Sequence, residues 1–185
     1  MRMLLDRFYA LTQWLSCICL IAIGSLVLAQ IVGRILDSAL KFAGLAPAGF
    51  VILSLSEIAG YLLAAATFLA LAGTLKAGAH IRVTMLHGFL RERPRRVFEL
   101  IAFAASTAFC AYMTWYVSAL AFDSWRNDEM SPGLIAVRLV WPQAAMALGL
   151  TAMTIALIDE CATIAIKGRP TFRAAEDAIT VGKEG

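Results

Sequence analysis

The chain has 185 residues, of which 61% are hydrophobic, with a mean hydropathy of +0.77 and a formal net charge of +3. A soluble domain of this length carries a much smaller apolar fraction. The composition therefore excludes a soluble enzyme and indicates an integral membrane protein. The small positive charge does not indicate nucleic-acid binding, which requires a basic folded surface with aromatic side chains to stack bases.

Four long stretches of the sequence contain no charged residue, namely 8–33, 58–75, 100–122 and 139–158. Each stretch approaches or exceeds the ~20 residues that a helix needs to cross a bilayer core. The sequence predicts one all-α membrane domain, residues 1–185, with transmembrane helices at about 8–33, 55–77, 97–122 and 139–165. A polar tail is expected at 168–185. The first stretch is too long for a signal peptide, whose apolar core spans ~7–15 residues, so it is expected to remain as a helix.

The start of the second predicted helix has two interpretations. Ser54 and Glu57 have the spacing of a capping box, in which each side chain binds a backbone amide at the helix start. Ser56, Gly60 and Ala64 form a row of small residues, which lets helices approach closely in lipid. This region is therefore expected to be a helix cap or a subunit interface. A second small-residue row lies on the third helix, at Ser106, Cys110, Thr114 and Ser118.

The connector between the second and third helices contains both histidines of the chain, His80 and His87. A haem or metal site inside the membrane requires histidines within the spans, so the sequence predicts no cofactor and no metal. Ile81, Met85 and Phe89 recur every four residues and predict an amphipathic helix lying in the membrane interface. The alternative is a packed loop. The polar residues of interest in this connector are His80, Arg82, Arg95 and Arg96.

Lysine and arginine are distributed unevenly between the two sides of the predicted bundle. Twelve of the 16 fall at the N-terminus, in the 76–96 connector and in the tail, whereas four fall in the other two connectors. Cytosolic loops carry the excess of positive residues. Both termini and the 76–96 connector are therefore predicted to be cytosolic, and the 123–140 connector periplasmic.

The segment FDSWRNDEMSPG is the periplasmic stretch richest in charges of both signs. Asp123, Arg126, Asp128 and Glu129 flank Trp125, just outside the third span. Such charges could steer and register a soluble partner. The alternative is a solvated loop with the tryptophan as an interfacial anchor.

Asp159 and Glu160 lie near the C-terminal end of the fourth helix, where the helix dipole disfavours negative charge. We expect these two acids to form an ion-pair cluster with Lys167, Arg95 and Arg96, which would lock the fourth helix to the connector. The alternative is that both carboxylates are solvated.

The predicted spans carry almost no polar groups of the kind that a transport pathway needs near the bilayer midplane. Gln13 and Gln30 lie towards the ends of the first span, and Glu57 lies at the start of the second. The chain is therefore not expected to transport a substrate alone. Its small-residue rows suit it to contact a membrane partner.

Several segments together resemble the small membrane subunit of TRAP (tripartite ATP-independent periplasmic) transporters, the DctQ type. They are Ser56-Glu57, GTLKAGAHIRVTML after the second helix, and SPGLIAVRLVWPQAAMALGL entering the fourth. The resemblance covers roughly residues 5–167. The sequence departs from the family pattern at Leu55, Ile58 and Thr84, where a tryptophan and two acidic residues are usual.

The resemblance implies a bacterial inner-membrane subunit that braces a large DctM-type membrane subunit. A periplasmic binding protein captures an organic anion, and the large subunit moves it with sodium. The partners implied are that large subunit, the binding protein and the lipid bilayer. Two other classes remain open at this point: a membrane anchor of a redox enzyme and a small multidrug exporter. The exporter requires a carboxylate inside the first span, and 8–33 has none.

Overall fold

The computed structural model describes residues 2–77 and 92–167. Within these ranges the chain forms four helices: α1 (Arg2–Phe42), α2 (Leu55–Lys76), α3 (Glu92–Arg126) and α4 (Val140–Lys167). All four are long and apolar enough to cross a membrane, which confirms the predicted all-helical membrane fold. The predicted interfacial helix and the polar tail lie outside the described residues.

The helices form because their apolar runs must satisfy every backbone polar group internally in lipid, which a helix does. α1 is much longer than the predicted span at about 8–33, since it has 41 residues. At 1.5 Å per residue it is roughly 60 Å long, about twice the thickness of the hydrocarbon core. α2, with 22 residues, matches that thickness closely.

α2 and α4 form the centre of the bundle. α1 packs mainly against α2, and α3 packs against α4. The bundle has two ends: the beginning of α1 and the end of α4 lie at what we call the terminal end, and segments 43–54 and 127–139 lie at the loop end.

Small residues allow the central helices to approach closely. Gly149 of α4 is buried against the backbone of Phe68 in α2. Ala152 and Ala156 on the same side of α4 are fully buried, as is Ala72 of α2. Between membrane helices, such small side chains permit the backbone contact that drives packing.

The first helix is fixed to the second by polar as well as apolar contacts. The hydroxyl of Ser16 donates a hydrogen bond of 2.8 Å to the carbonyl of Ala66, and both residues are buried. Tyr9, Leu75 and Leu157 belong to one buried apolar cluster near the terminal end, where α1, α2 and α4 meet.

Candidate functional site

The segment that joins α3 to α4 has a defined hydrogen-bonded structure at the loop end. The amide of Ser131 donates to the carbonyl of Val137 at 2.8 Å, and Met130 pairs with Arg138 in an antiparallel bridge. The amide of Leu139 donates to the carbonyl of Glu129 at 3.1 Å. These bonds close residues 127–139 into a compact loop, called here the α3–α4 loop.

Two of the four predicted docking residues help to hold this loop together. Glu129 accepts a hydrogen bond of 2.6 Å from the buried hydroxyl of Ser124. Asp128 has a left-handed backbone conformation with φ of 49° and forms an ion pair of 3.4 Å with Arg138. Both carboxylates thus have structural contacts as well as exposed surface.

Asp123 and Arg126, the other two predicted docking residues, lie in the last turn of α3 and are exposed. Trp125 is 65% exposed and its ring lies 5.9 Å from that of Phe122. The structure therefore brings all four charged residues to one end of α3. The side chains of Asp123 and Arg126 take no part in the bonds that close the loop.

The α3–α4 loop rests on the beginning of α2. The amide of Ile135 donates to the hydroxyl oxygen of Ser54 at 3.2 Å. The carboxylate of Glu57 accepts a hydrogen bond of 2.9 Å from Tyr61 and packs directly against Gly133, where any Cβ would collide with it. A residue larger than glycine at position 133 would force the Glu57 carboxylate out of this contact.

The capping-box prediction is wrong for Ser54, although this residue is the N-cap of α2. Its side chain makes no capping hydrogen bond, because its backbone is left-handed, with φ of 54° and ψ of 25°. A capping serine normally has an extended backbone that directs its hydroxyl at the helix amides. Here the hydroxyl is used to hold the α3–α4 loop instead.

The predicted interface row on α2 does not belong to the buried side of that helix. Ser56 and Gly60 are exposed, Ala64 is half-buried, and a Cβ at Gly60 would meet no atom within 4 Å. The buried side of α2 is formed by other residues: Ala65, Ala66, Leu69, Ala72, Gly73 and Leu75. Gly60 is thus not required for the packing of this bundle.

The second loop-end segment folds back along α1. Asp37 accepts a hydrogen bond of 3.1 Å from the amide of Gly49, and Gln30 accepts one of 2.8 Å from the amide of Ile52. These bonds place the residues just before α2 level with Gln30, so α1 extends beyond the start of α2 at this end. An apolar groove of about 840 Å³ lies between α1 and residues 48–51.

At the terminal end, one lysine connects three helices. Lys76, at the end of α2, forms ion pairs with Asp6 of α1 at 3.0 Å and with Asp159 of α4 at 3.7 Å. Its ammonium group also lies 4.6 Å from the centre of the Tyr9 ring, within the range of a cation–π contact. Glu160 is fully buried beside this group.

The predicted partners of Asp159 and Glu160 are only partly covered by the structure. Arg95 and Arg96 lie within α3, and Lys167 ends α4. Their side chains, and both His80 and Arg82, lie outside the described residues. The sequence did not predict the contacts of Lys76 with Asp6 and Tyr9. All three residues lie at the ends of predicted spans on the same side of the membrane, but that position does not specify which residues pair.

Among the described residues, no group of three or more histidine, cysteine, aspartate or glutamate side chains could hold a metal ion. The four cysteines are free thiols, and Cys161 lies 3.6 Å from the hydroxyl of Thr107.

The fold defines a small multi-pass helical membrane protein with a structured loop end. The family model "Tripartite ATP-independent periplasmic transporters, DctQ component" matches residues 25–165. The chain belongs to this family and is the small membrane component of a TRAP transporter. No curated protein sequence matched the chain.

Proposed function

We propose that this chain is the small permease subunit of a sodium-coupled, binding-protein-dependent transporter of organic anions. In this role it braces the large membrane subunit and helps to dock the periplasmic binding protein. The sodium and substrate sites belong to the partner subunit. The redox anchor and the multidrug exporter are not favoured, because the family to which the chain belongs is a transporter component.

The observation that carries the docking proposal is the anchoring of the charged α3–α4 loop on α2. A docking surface must present its charges in a fixed arrangement if it is to register a partner. Here Ser54 and Glu57 fix the loop to a helix of the bundle centre. Asp123 and Arg126 then present opposite charges at the edge of that loop.

Orientation completes the proposal, with both termini cytosolic and the loop end periplasmic. The positive-inside distribution supports this arrangement. In the bacterial inner membrane, the α3–α4 loop then faces the compartment in which a soluble binding protein diffuses.

The test is substrate uptake by reconstituted vesicles, measured as a function of binding-protein concentration. The variant Asp123→Asn/Arg126→Gln removes the two charges that do not close the loop, and Arg34→Gln on α1 is the matched control at the same end of the bundle. We expect the double variant to need more binding protein for half-maximal uptake, by roughly two- to tenfold, since rim charges act mainly on association rate.

A second variant, Asp128→Asn/Glu129→Gln, tests whether docking depends on the folded loop. It should shift the same half-maximal concentration and also loosen the loop, which limited proteolysis would detect. If neither variant changes the concentration dependence while uptake remains binding-protein-dependent, the α3–α4 loop is not the docking surface.

A further inference from the structure

The surface of α3 that points away from α4 carries polar aromatic side chains near the middle of the helix. Tyr112 and Tyr116 are 55% and 56% exposed, and their ring centres are 4.6 Å apart. Trp115 is 75% exposed on the same turn, at the edge of this surface, where it also lines a groove between α3 and α4. The opposite side of α3 faces the bundle, where the hydroxyl of Thr114 meets that of Thr154 in α4 at 3.0 Å.

These aromatic residues lie deep in the membrane span. Tyr112 is close to the midpoint of the uncharged stretch 100–122, and Tyr116 lies one turn, roughly 6 Å, nearer the loop end. In a core about 30 Å thick, both are far from the headgroups. Tyrosine and tryptophan usually lie at the membrane interface, where their polar atoms reach water.

Lipid chains offer no hydrogen-bond partner to these hydroxyl and indole groups, which can therefore bond only to one another. An unmade hydrogen bond in an apolar medium is costly, and the Tyr112 hydroxyl interacts only with Tyr116 in the part of the chain that the structure describes. A protein surface covering α3 would supply further acceptors. Exposed small residues on the same side would let a partner helix come close; they are Ala105, Ala108 and Ala119.

The outer surface of α1 has a different character at a comparable depth. Ile18 and Ile21 are 57% and 68% exposed, and such side chains are fully compatible with lipid. Ser25, which is also exposed, donates its hydroxyl to the carbonyl of Ile21 at 2.8 Å and needs no outside partner. Around its midpoint α1 thus presents a lipid-like surface, whereas α3 presents polar groups at that depth; the exposed Gln13 and Trp14 of α1 lie roughly 10 Å nearer the terminal end.

We propose that the outer surface of α3 around Tyr112, Trp115 and Tyr116, here called the α3 aromatic surface, contacts the large membrane subunit of the transporter. This inference rests on the proposed function, which assigns such a partner. The partner is expected to present backbone carbonyls or hydroxyl and amide side chains at this depth, and α1 is expected to face lipid.

Photo-crosslinking in membranes tests the assignment. A photoreactive phenylalanine analogue replaces Tyr116 in one variant and Ile21 in another, each co-expressed with the large subunit. We expect the Tyr116 variant to yield a covalent adduct with the large subunit and the Ile21 variant to yield none. Three results would each overturn the proposal: adducts from the Ile21 variant alone, adducts with a second copy of this chain, or no adduct from the Tyr116 variant in an intact complex.

The double variant Tyr112→Phe/Tyr116→Phe tests the role of the hydroxyl groups, since it keeps both rings. Interhelical hydrogen bonds in membranes average about 0.6 kcal/mol, so each hydroxyl should change subunit dissociation in detergent roughly threefold and the pair roughly eightfold. Unchanged dissociation would contradict the inferred polar contacts. If the unaltered chain never co-purifies with a large subunit, the proposed function itself is wrong, whereas adducts from α1 in an intact complex overturn only the surface.

Discussion

Replacing Gly149 with alanine tests whether close backbone contact between α2 and α4 holds the bundle together. A Cβ at this position would meet the carbonyl group of Phe68 and would lie 2.7 Å from the amide nitrogen of Leu69. These are backbone atoms of a central helix and cannot rotate away as a flexible side chain would. The two helices must therefore move apart.

The expected magnitude follows from two opposing effects. Alanine in place of glycine stabilises a helix interior by roughly 1 kcal/mol. Overpacking a tight contact costs about 1–3 kcal/mol, and rigid backbone neighbours favour the upper part of that range. We therefore expect Gly149→Ala to lower the free energy of unfolding by about 1–2 kcal/mol.

Gly24→Ala in α1 is the matched control, because a Cβ at Gly24 meets no atom within 4 Å. It should be neutral or stabilising. The assay is reversible unfolding of the isolated subunit in mixed detergent micelles, followed by circular dichroism. If Gly149→Ala proves as stable as Gly24→Ala, the α2–α4 contact is not tight and the reasoning fails.

Three further predictions concern other parts of the molecule. Lys76→Met breaks both ion pairs of this largely buried side chain and should lower the free energy of unfolding by about 1–3 kcal/mol. Asp6→Asn, at an exposed position, should lower it by less than about 1 kcal/mol. Equal effects of the two substitutions on unfolding in micelles would contradict this prediction. Glu57→Gln weakens the support under the α3–α4 loop and should speed hydrogen exchange of that loop, while an unchanged rate would mean that the carboxylate is dispensable. In a chain freed of its native cysteines, a cysteine at Asn127 should react with an impermeant reagent in intact cells and one at Thr84 only after permeabilisation; the reverse pattern would invert the orientation.

The helices were predictable because hydropathy alone decides which segments can cross a bilayer. The length of α1 was not, because Arg34, Asp37 and Lys41 end the apolar run while the backbone continues as a helix to Phe42. Charges mark where a span ends in lipid, and they do not by themselves end a helix. Hydropathy therefore predicts the membrane-spanning part of α1 and underestimates the length of the whole helix.

The contacts at both ends were less predictable than the helices. Asp6 and Lys76 are far apart in sequence, and only the packing of α1 on α2 brings them together. Ser54 and Glu57 had the spacing of a capping box, but the left-handed backbone at Ser54 redirected its hydroxyl. Spacing specifies which residues can interact within one helix. Here the contact between the Ser54 hydroxyl and the α3–α4 loop formed in place of the cap.

The central position of α2 and α4 also imposes an order on biosynthesis. Phe68 leaves the ribosome before its partner Gly149, and at 5–20 residues per second the roughly 80 intervening residues take on the order of 4–16 s to make. During that interval the alanine-rich side of α2 that will receive α4 has only lipid or the insertion machinery beside it. The hairpin of α1 and α2 must therefore persist in the membrane with one side of α2 uncovered until α4 is made.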